Sequence, residues 1–251
     1  MSILKIVANW KMNGSKEEIT NWLKIFKSNV DLNNQSNCIF CPPACYLDYT
    51  HKIILDNNLT LNLGSQNLNP DQEHPSTGGI NGRMLKDLGC NHVIVGHSER
   101  RIHFQEDEDN LVKQLSEGIQ NKLNVVYCVG ETREERESGL AKEIIKKQLT
   151  TLSGFPFHLI SIAYEPIWSI GKDTTPSLNS IDEMHQTIKD ELKLVFKTEE
   201  NITVSYGGSV STNNAVSISE LNSVDGLLIG GASLDANSFS EVVNKITKTT
   251  R

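Results

Sequence analysis

Glu165 stands where an apolar run, ISIAYE, gives way to PIWSIGKDTTP, a segment with two prolines, a tryptophan, a glycine and no secondary-structure period. A carboxylate at such a junction can meet water, cap the next helix or act as a base. Four other strand-like runs end in polar groups of complementary kinds. The first ends in Asn9 and Lys11, the fourth in His97, Ser98 and Glu99, the seventh in Gly207, Gly208 and Ser209, and the eighth in Gly230 and Gly231. Glycine pairs leave backbone N–H groups open to a phosphate, and helix N-termini nearby add partial positive charge. One pair alone reads as a turn, whereas two pairs at adjacent strand ends favour an anion site. His97 alone reads as a hydrogen-bonded core residue. The SERR that follows it can open a helical turn whose N–H groups disfavour an imidazolium. A neutral imidazole still donates a hydrogen bond to a carbonyl oxygen. Base, neutral donor, cation and phosphate cradle together describe proton abstraction beside a carbonyl in a small phosphorylated substrate.

Such groups need elements that gather them. Eight apolar runs recur along the chain: ILKIVANW, NCIFCPP, LTLNLGSQN, HVIVGHS, NVVYCVGE, HLISIAYEP, ITVSYGGS and DGLLIGGAS. Most are too continuous to have one wet face, as expected of strands buried on both sides in a parallel sheet. Amphipathic stretches lie between them, such as SKEEITNWLKIFKSNV, with Ile19, Trp22, Leu23, Phe26 and Val30 at helical spacing. SIDEMHQTIKDELKLVF repeats the pattern with Ile181, Met184, Ile188, Leu192 and Phe196. Strand then helix, eight times without a linker, predicts one domain over residues 1–251 and a closed (β/α)8 barrel of eight parallel strands. An open doubly wound sheet is the competing architecture, and no G-x-G-x-x-G follows the first strand to favour it. The charged run ETREERESG, residues 131–139, reads as a solvated helix start.

The formal charge of -7 and pI near 5.5 argue against nucleic acid or an anionic membrane as partner. No apolar run approaches the ~20 residues that cross a bilayer, and MSILKIVANWKMNG lacks the regions of a secretory signal. Five cysteines, an odd set without an export signal, fit a reducing cytoplasm. Cys38 and Cys41 have C-x-x-C spacing, but no second pair follows to complete a zinc site. The thiols read as packing, and neither metal nor cofactor is expected.

Five motifs in order, ANWKMNG at 8–14, IVGHSERR at 94–101, AYEPIWSIG at 163–171, YGGSV at 206–210 and GLLIGGASL at 226–234, resemble the triosephosphate isomerases. The resemblance implies a TIM barrel that interconverts dihydroxyacetone phosphate and D-glyceraldehyde 3-phosphate through an enediol(ate), in glycolysis and gluconeogenesis. It implies a cytoplasmic homodimer that works without cofactor. Residue by residue, Glu165 matches the base and His97 the neutral electrophile. Lys11 and Asn9 match groups that offset charge and bind substrate, and Glu99 and Cys128 match supporting positions. Gly171, Ser209, Gly230 and Gly231 match phosphate-binding positions. Pro166, Ile167, Trp168, Ser169, Ile170, Gly171, Lys172, Asp173, Thr174, Thr175 and Pro176 match a lid that expels water on closing. The loop GSQNLNPDQEHPSTGG, residues 64–79, matches a tongue that docks into a second subunit, with Thr77 reaching the neighbour's site and Arg100 at the interface. Two positions depart from the pattern. Lys172 and Asp173 stand where many members have Thr-Gly. Gly79 stands where many have an acid that pairs with the arginine matching Arg100, so Arg100 is expected to meet another carboxylate, a backbone carbonyl or water. Other phosphate-binding barrels remain as alternatives, although a Schiff-base aldolase needs a lysine on a late strand, where Glu165 and Ser205 stand. A non-catalytic binding protein or surface adhesin on the same barrel is expected to lose Glu165, His97 or Lys11, and all are present.

Overall fold

The computed structural model of the protein describes residues 4–70, 76–170 and 175–249. Its strands are β1 (Lys5–Asn9), β2 (Cys38–Cys41), β3 (Asn62–Ser65), β4 (His92–Val95), β5 (Asn124–Val129), β6 (Ile160–Tyr164), β7 (Val204–Tyr206) and β8 (Gly226–Ile229). Each pairs in parallel with the next, and β1 pairs with β8, with Ala8 opposite Ile229, so the sheet closes into the eight-stranded barrel that the alternating pattern predicts. The strands read as continuous apolar runs because both faces are covered. Alternate residues, Val7, Ile39, Cys41, Ile94, Val126, Cys128, Ala163 and Leu228, form a cluster of their own that fills the lumen. Their sequence neighbours, such as Ile6, Ala8, Phe40 and Val93, belong to the larger core beneath the helices.

The helix Lys16–Asn29 starts where the Ser15 side chain accepts the Glu18 N–H, and it buries Ile19, Trp22, Leu23 and Phe26, the stripe set by its spacing. The helix Leu178–Phe196 buries Ile181, Met184, His185, Ile188 and Leu192. Trp22 stacks on Phe40 with ring centroids 4.6 Å apart, and Trp10 meets Phe40 edge-on at 5.0 Å. Both indole N–H groups donate to the Ser233 carbonyl, at 3.1 and 2.9 Å. Each buried ring covers ~150–250 Å², far more free energy than one hydrogen bond of ~1 kcal/mol. Packing therefore sets where the turn after β8 sits.

The charged run after β5 starts a helix with exposed charges, as read, and departs from that reading at its first residue. Only Arg133–Glu137 is helical, opened by Thr132 and Glu135 in a reciprocal capping box. Glu131 is fully buried rather than solvated. Among the described residues no helix is long and apolar enough to cross a membrane.

Candidate active site

β6 stops at Tyr164, and Glu165 is the next residue, its N–H held by the Val129 carbonyl of β5 at 2.8 Å. Its side chain is buried, with Oε2 accepting the Ser98 N–H at 3.0 Å and Oε1 lying 3.0 Å from His97 Nε2. The neighbouring strand ends leave it no slack. A Cβ on Gly130 would lie 1.9 Å from the Glu165 carbonyl oxygen, and one on Gly207 would lie 3.0 Å from Glu165 Cγ.

The helix Ser98–His103 begins at His97, whose Nδ1 accepts the Glu99 N–H at 3.2 Å. That bond leaves the ring proton on Nε2, facing Glu165. Burial is the largest influence on His97 and favours the neutral ring, but the Glu165 charge and hydrogen bond outweigh it, so the ring titrates above its ordinary range. Burial pushes Glu165 up, while His97 and the Ser98 N–H pull it further down, to a net value below the usual carboxylate range. The helix N-terminus thus does not act alone on His97, as the sequence reading has it. The Nδ1 contact fixes the tautomer of the neutral ring, with its proton on Nε2.

Lys11 has a left-handed backbone, φ 53°, which costs a non-glycine residue ~1–2 kcal/mol. Two side chains hold it there. Asn9 Oδ1 accepts the Lys11 N–H at 3.1 Å, and Gln66 Nε2 donates to the carbonyls of Lys11 and Cys41 at 2.8 and 2.9 Å. The Lys11 ammonium meets Glu99 Oε1 at 2.5 Å. A Cβ on Gly230 would touch Lys11 Cε at 3.4 Å, whereas one on Gly231 would have no atom within 4 Å, so Gly231 faces open space. Ser209 Oγ donates to the Ser169 carbonyl at 2.7 Å. Lys11, His97, Glu165, Ile170, Ser209 and Gly231 are among the residues that line one cavity of about 200 Å³. Cys128 belongs to the lumen cluster, and burial, then the Glu165 charge, push its thiol well above its ordinary value, which makes it inert.

The structure thus brings together Asn9, Lys11, His97, Glu99, Glu165, Ser209, Gly230 and Gly231. Gly171, Lys172, Asp173 and Thr174 lie outside the described residues. Of the other residues expected to form a lid, Ile167–Ser169 forms a short 3-10 turn after Pro166. Trp168 Nε1 donates to Glu131 Oε1 at 2.9 Å, and the Tyr164 hydroxyl and Arg136 donate to the same oxygen at 3.1 and 2.9 Å. Glu131 therefore ties the turn after Pro166 to β6. The sequence reading missed Glu131 and Gln66, which stand just after β5 and β3. Arg100 meets Glu106 Oε1 of its own chain through Nε at 2.8 Å and Nη2 at 2.7 Å. Thr77 is exposed, and residues 71–75 of the tongue lie outside the described residues.

Proton-handling groups on one side of the mouth and an open glycine turn on the other define an acid–base enzyme built on a (β/α)8 barrel. The family model described as triosephosphate isomerase matches residues 4–246. The triosephosphate isomerase of Lawsonia intracellularis is 39% identical over 251 residues, covering 97% of this chain and 98% of that protein. That of Hydrogenovibrio crunogenus is 37% identical over 245 residues, covering 95% and 96%. That of Francisella tularensis subsp. mediasiatica is 37% identical over 249 residues, covering 97% of each. The chain belongs to the triosephosphate isomerase family.

Proposed function

We propose that this protein interconverts dihydroxyacetone phosphate and D-glyceraldehyde 3-phosphate through an enediol(ate), the step its family performs in glycolysis and gluconeogenesis. The observation that carries this reading is the placement of the buried Glu165 carboxylate 3.0 Å from a His97 nitrogen whose proton is fixed there by the Glu99 amide. A carbonyl entering between them takes the Nε2–H hydrogen bond, and the adjacent C–H meets the carboxylate. Glu165 takes the proton, the C–H electrons form the C=C bond, and the carbonyl oxygen becomes the enediol oxygen. The hydroxyl proton passes to the former carbonyl oxygen by way of His97 Nε2, the hydroxyl oxygen becomes the new C=O, and Glu165 returns its proton to the other carbon, so the exchange is redox-neutral and needs no cofactor. Lys11 and His97 meet the developing negative charge. Gly171, Ser209, Gly230 and Gly231 receive the phosphate, Asn9 keeps Lys11 in its left-handed conformation, and Glu99 holds the lysine between turnovers.

Four exposed apolar side chains support a homodimer: Met12 at 95%, Phe104 at 65%, Ile102 at 54% and Met84 at 47% exposure. They stand on the segments after β1, β3 and β4, next to the tongue, and such surface suits a partner. Arg100, stacked on Phe104, joins this face, and Thr77 is assigned to it by the family resemblance. A cytoplasmic location suits five free cysteines, and a net charge of -7 does not suit nucleic acid or an anionic membrane. Purified protein given D-glyceraldehyde 3-phosphate, with product followed by a coupled dehydrogenase, tests the reading. Product formation dependent on protein supports it, and a rate no higher than without protein refutes it.

A further inference from the structure

The barrel has a second mouth, at the N-terminal ends of its strands, with a cavity of about 350 Å³. Lys5, Asn62, His92 and Asn124, the first residues of β1, β3, β4 and β5, line it together with Ser205. Its floor is Val7, Ile39 and Val126, members of the lumen cluster, so packed side chains separate it from the catalytic mouth. Along β1 alone, Lys5 and Asn9 are ~13 Å apart.

Sealing the barrel needs only apolar side chains here, and three polar groups go further than that. No Asp or Glu is among the described residues that line the cavity. Lys5 is half-buried, yet its ammonium has no ion pair or hydrogen bond among the described residues. It therefore stands at this mouth without a fixed counter-charge. The His92 tautomer is fixed by a relay. Asn62 Nδ2 donates to the carbonyls of Ser36 and Cys38 at 2.8 and 3.3 Å, which turns its Oδ1 to accept Asn91 Nδ2 at 2.7 Å. Asn91 Oδ1 therefore accepts His92 Nδ1–H at 2.7 Å. Nε2 is left as a bare acceptor without a partner among the described residues. Burial first, then the charges of Lys5 and Lys86, keep the ring neutral down to pH about 4. The buried Ser205 hydroxyl likewise has no hydrogen-bond partner among the described residues. A cation without a counter-ion, an acceptor without a donor and an unmatched hydroxyl thus share one cavity.

We propose that this mouth is a binding site for a small anion that carries a hydroxyl, such as a hydroxycarboxylate or hydrogenphosphate, with Lys5 meeting the charge, His92 Nε2 accepting the O–H and Ser205 bridging them. A neutral polyol leaves Lys5 unpaired. A plain carboxylate gives His92 no donor, and a fully deprotonated anion sets lone pairs against Nε2. The site makes no use of the catalytic residues, so it stands or falls separately from the isomerase reading.

The test is NMR on ¹⁵N-labelled protein titrated near neutral pH, at constant ionic strength, with sodium glycerate, sodium phosphate and sodium propionate. Signals of Lys5, His92 and Ser205 report this mouth, and those of Gly208 and Gly231 report the catalytic one. Saturable shifts at the N-terminal mouth are expected with glycerate or phosphate, tighter than with propionate by about tenfold, the worth of one good hydrogen bond. Saturation by glycerate alone identifies a hydroxycarboxylate, and by phosphate alone a phosphate. Lys5→Gln is expected to weaken binding by about tenfold or more. Its isomerase turnover should be unchanged. His92→Phe, which fills the cavity, should abolish binding there while the catalytic-mouth signals persist. Absence of saturable shifts at this mouth, equal binding of propionate, or undiminished binding by Lys5→Gln would overturn the proposal and leave a water-filled mouth.

Discussion

His97 and Glu165 set each other's charge, and the same physics acts on a histidine outside the site. His185 is fully buried, with Nδ1–H donating to the Ser223 carbonyl at 3.3 Å and its ring against Tyr164 and Tyr206. Burial, reinforced by Lys189, lowers its pKa to about 3 despite the Ser223 bond. The sign follows from linkage. Above the ordinary value of about 6.5 both folded and unfolded rings are neutral, so this stability is fully present. Below it the unfolded chain takes up a proton that the folded chain refuses, and stability falls by ~1.4 kcal/mol per pH unit until about pH 3. Between pH 7 and pH 5 the contribution is ~2 kcal/mol. Urea midpoints at fixed protein concentration should show that decline in the wild type and a flatter profile in His185→Gln, even though the variant starts less stable. Identical profiles would mean that His185 is not held neutral.

At the scale of elements, β6 and the turn after Pro166 meet through Glu131, which collects Trp168, Tyr164 and Arg136 on one oxygen. Glu131→Gln keeps the shape but replaces a charged acceptor with an amide, so a stability loss of ~1–3 kcal/mol is expected. Turnover should fall too, with the pH dependence of kcat unchanged, if the turn that Glu131 holds after Glu165 serves as the lid proposed, since Glu131 itself does not touch substrate. Unaltered kcat would remove Glu131 from any part in lid placement. The strands themselves were legible, since a parallel barrel buries both faces and its runs are continuously apolar. Glu165, His97 and Lys11 were legible because each breaks or follows such a run with a group that can do chemistry. Glu131 was hidden inside a run of charges whose composition reads as solvent-facing, and its burial is decided by β6 and the lid turn packing over it. Gln66 sits in a polar loop, and only the barrel brings it to the Lys11 carbonyl. The close approach of Gly130 to Glu165 likewise depends on the β5–β6 register, with Val129 opposite Tyr164, which periodicity does not reveal.

For the whole molecule, apolar surface around Met12, Ile102 and Phe104 is the feature a lone barrel leaves unsatisfied. Sedimentation at micromolar concentration should give a dimer, and Met12→Glu should shift it toward monomer with loss of turnover. A monomer that keeps full activity would contradict both the assembly and the place of Thr77 at the neighbouring site. The central claim is the chemistry at the C-terminal mouth, and it is tested most directly by comparing wild type with Glu165→Gln. Dihydroxyacetone phosphate is supplied in D₂O without added metal, and isomerisation is followed together with deuterium entering the carbon that changes hands. Binding of dihydroxyacetone phosphate is measured in parallel. The amide keeps the shape but cannot take the proton, so turnover and exchange should fall together by ~10²–10⁴-fold or more while binding is nearly unchanged. A variant that keeps more than about a tenth of wild-type turnover would contradict the assignment of Glu165 as the base, since a general base is worth ~10²-fold at least.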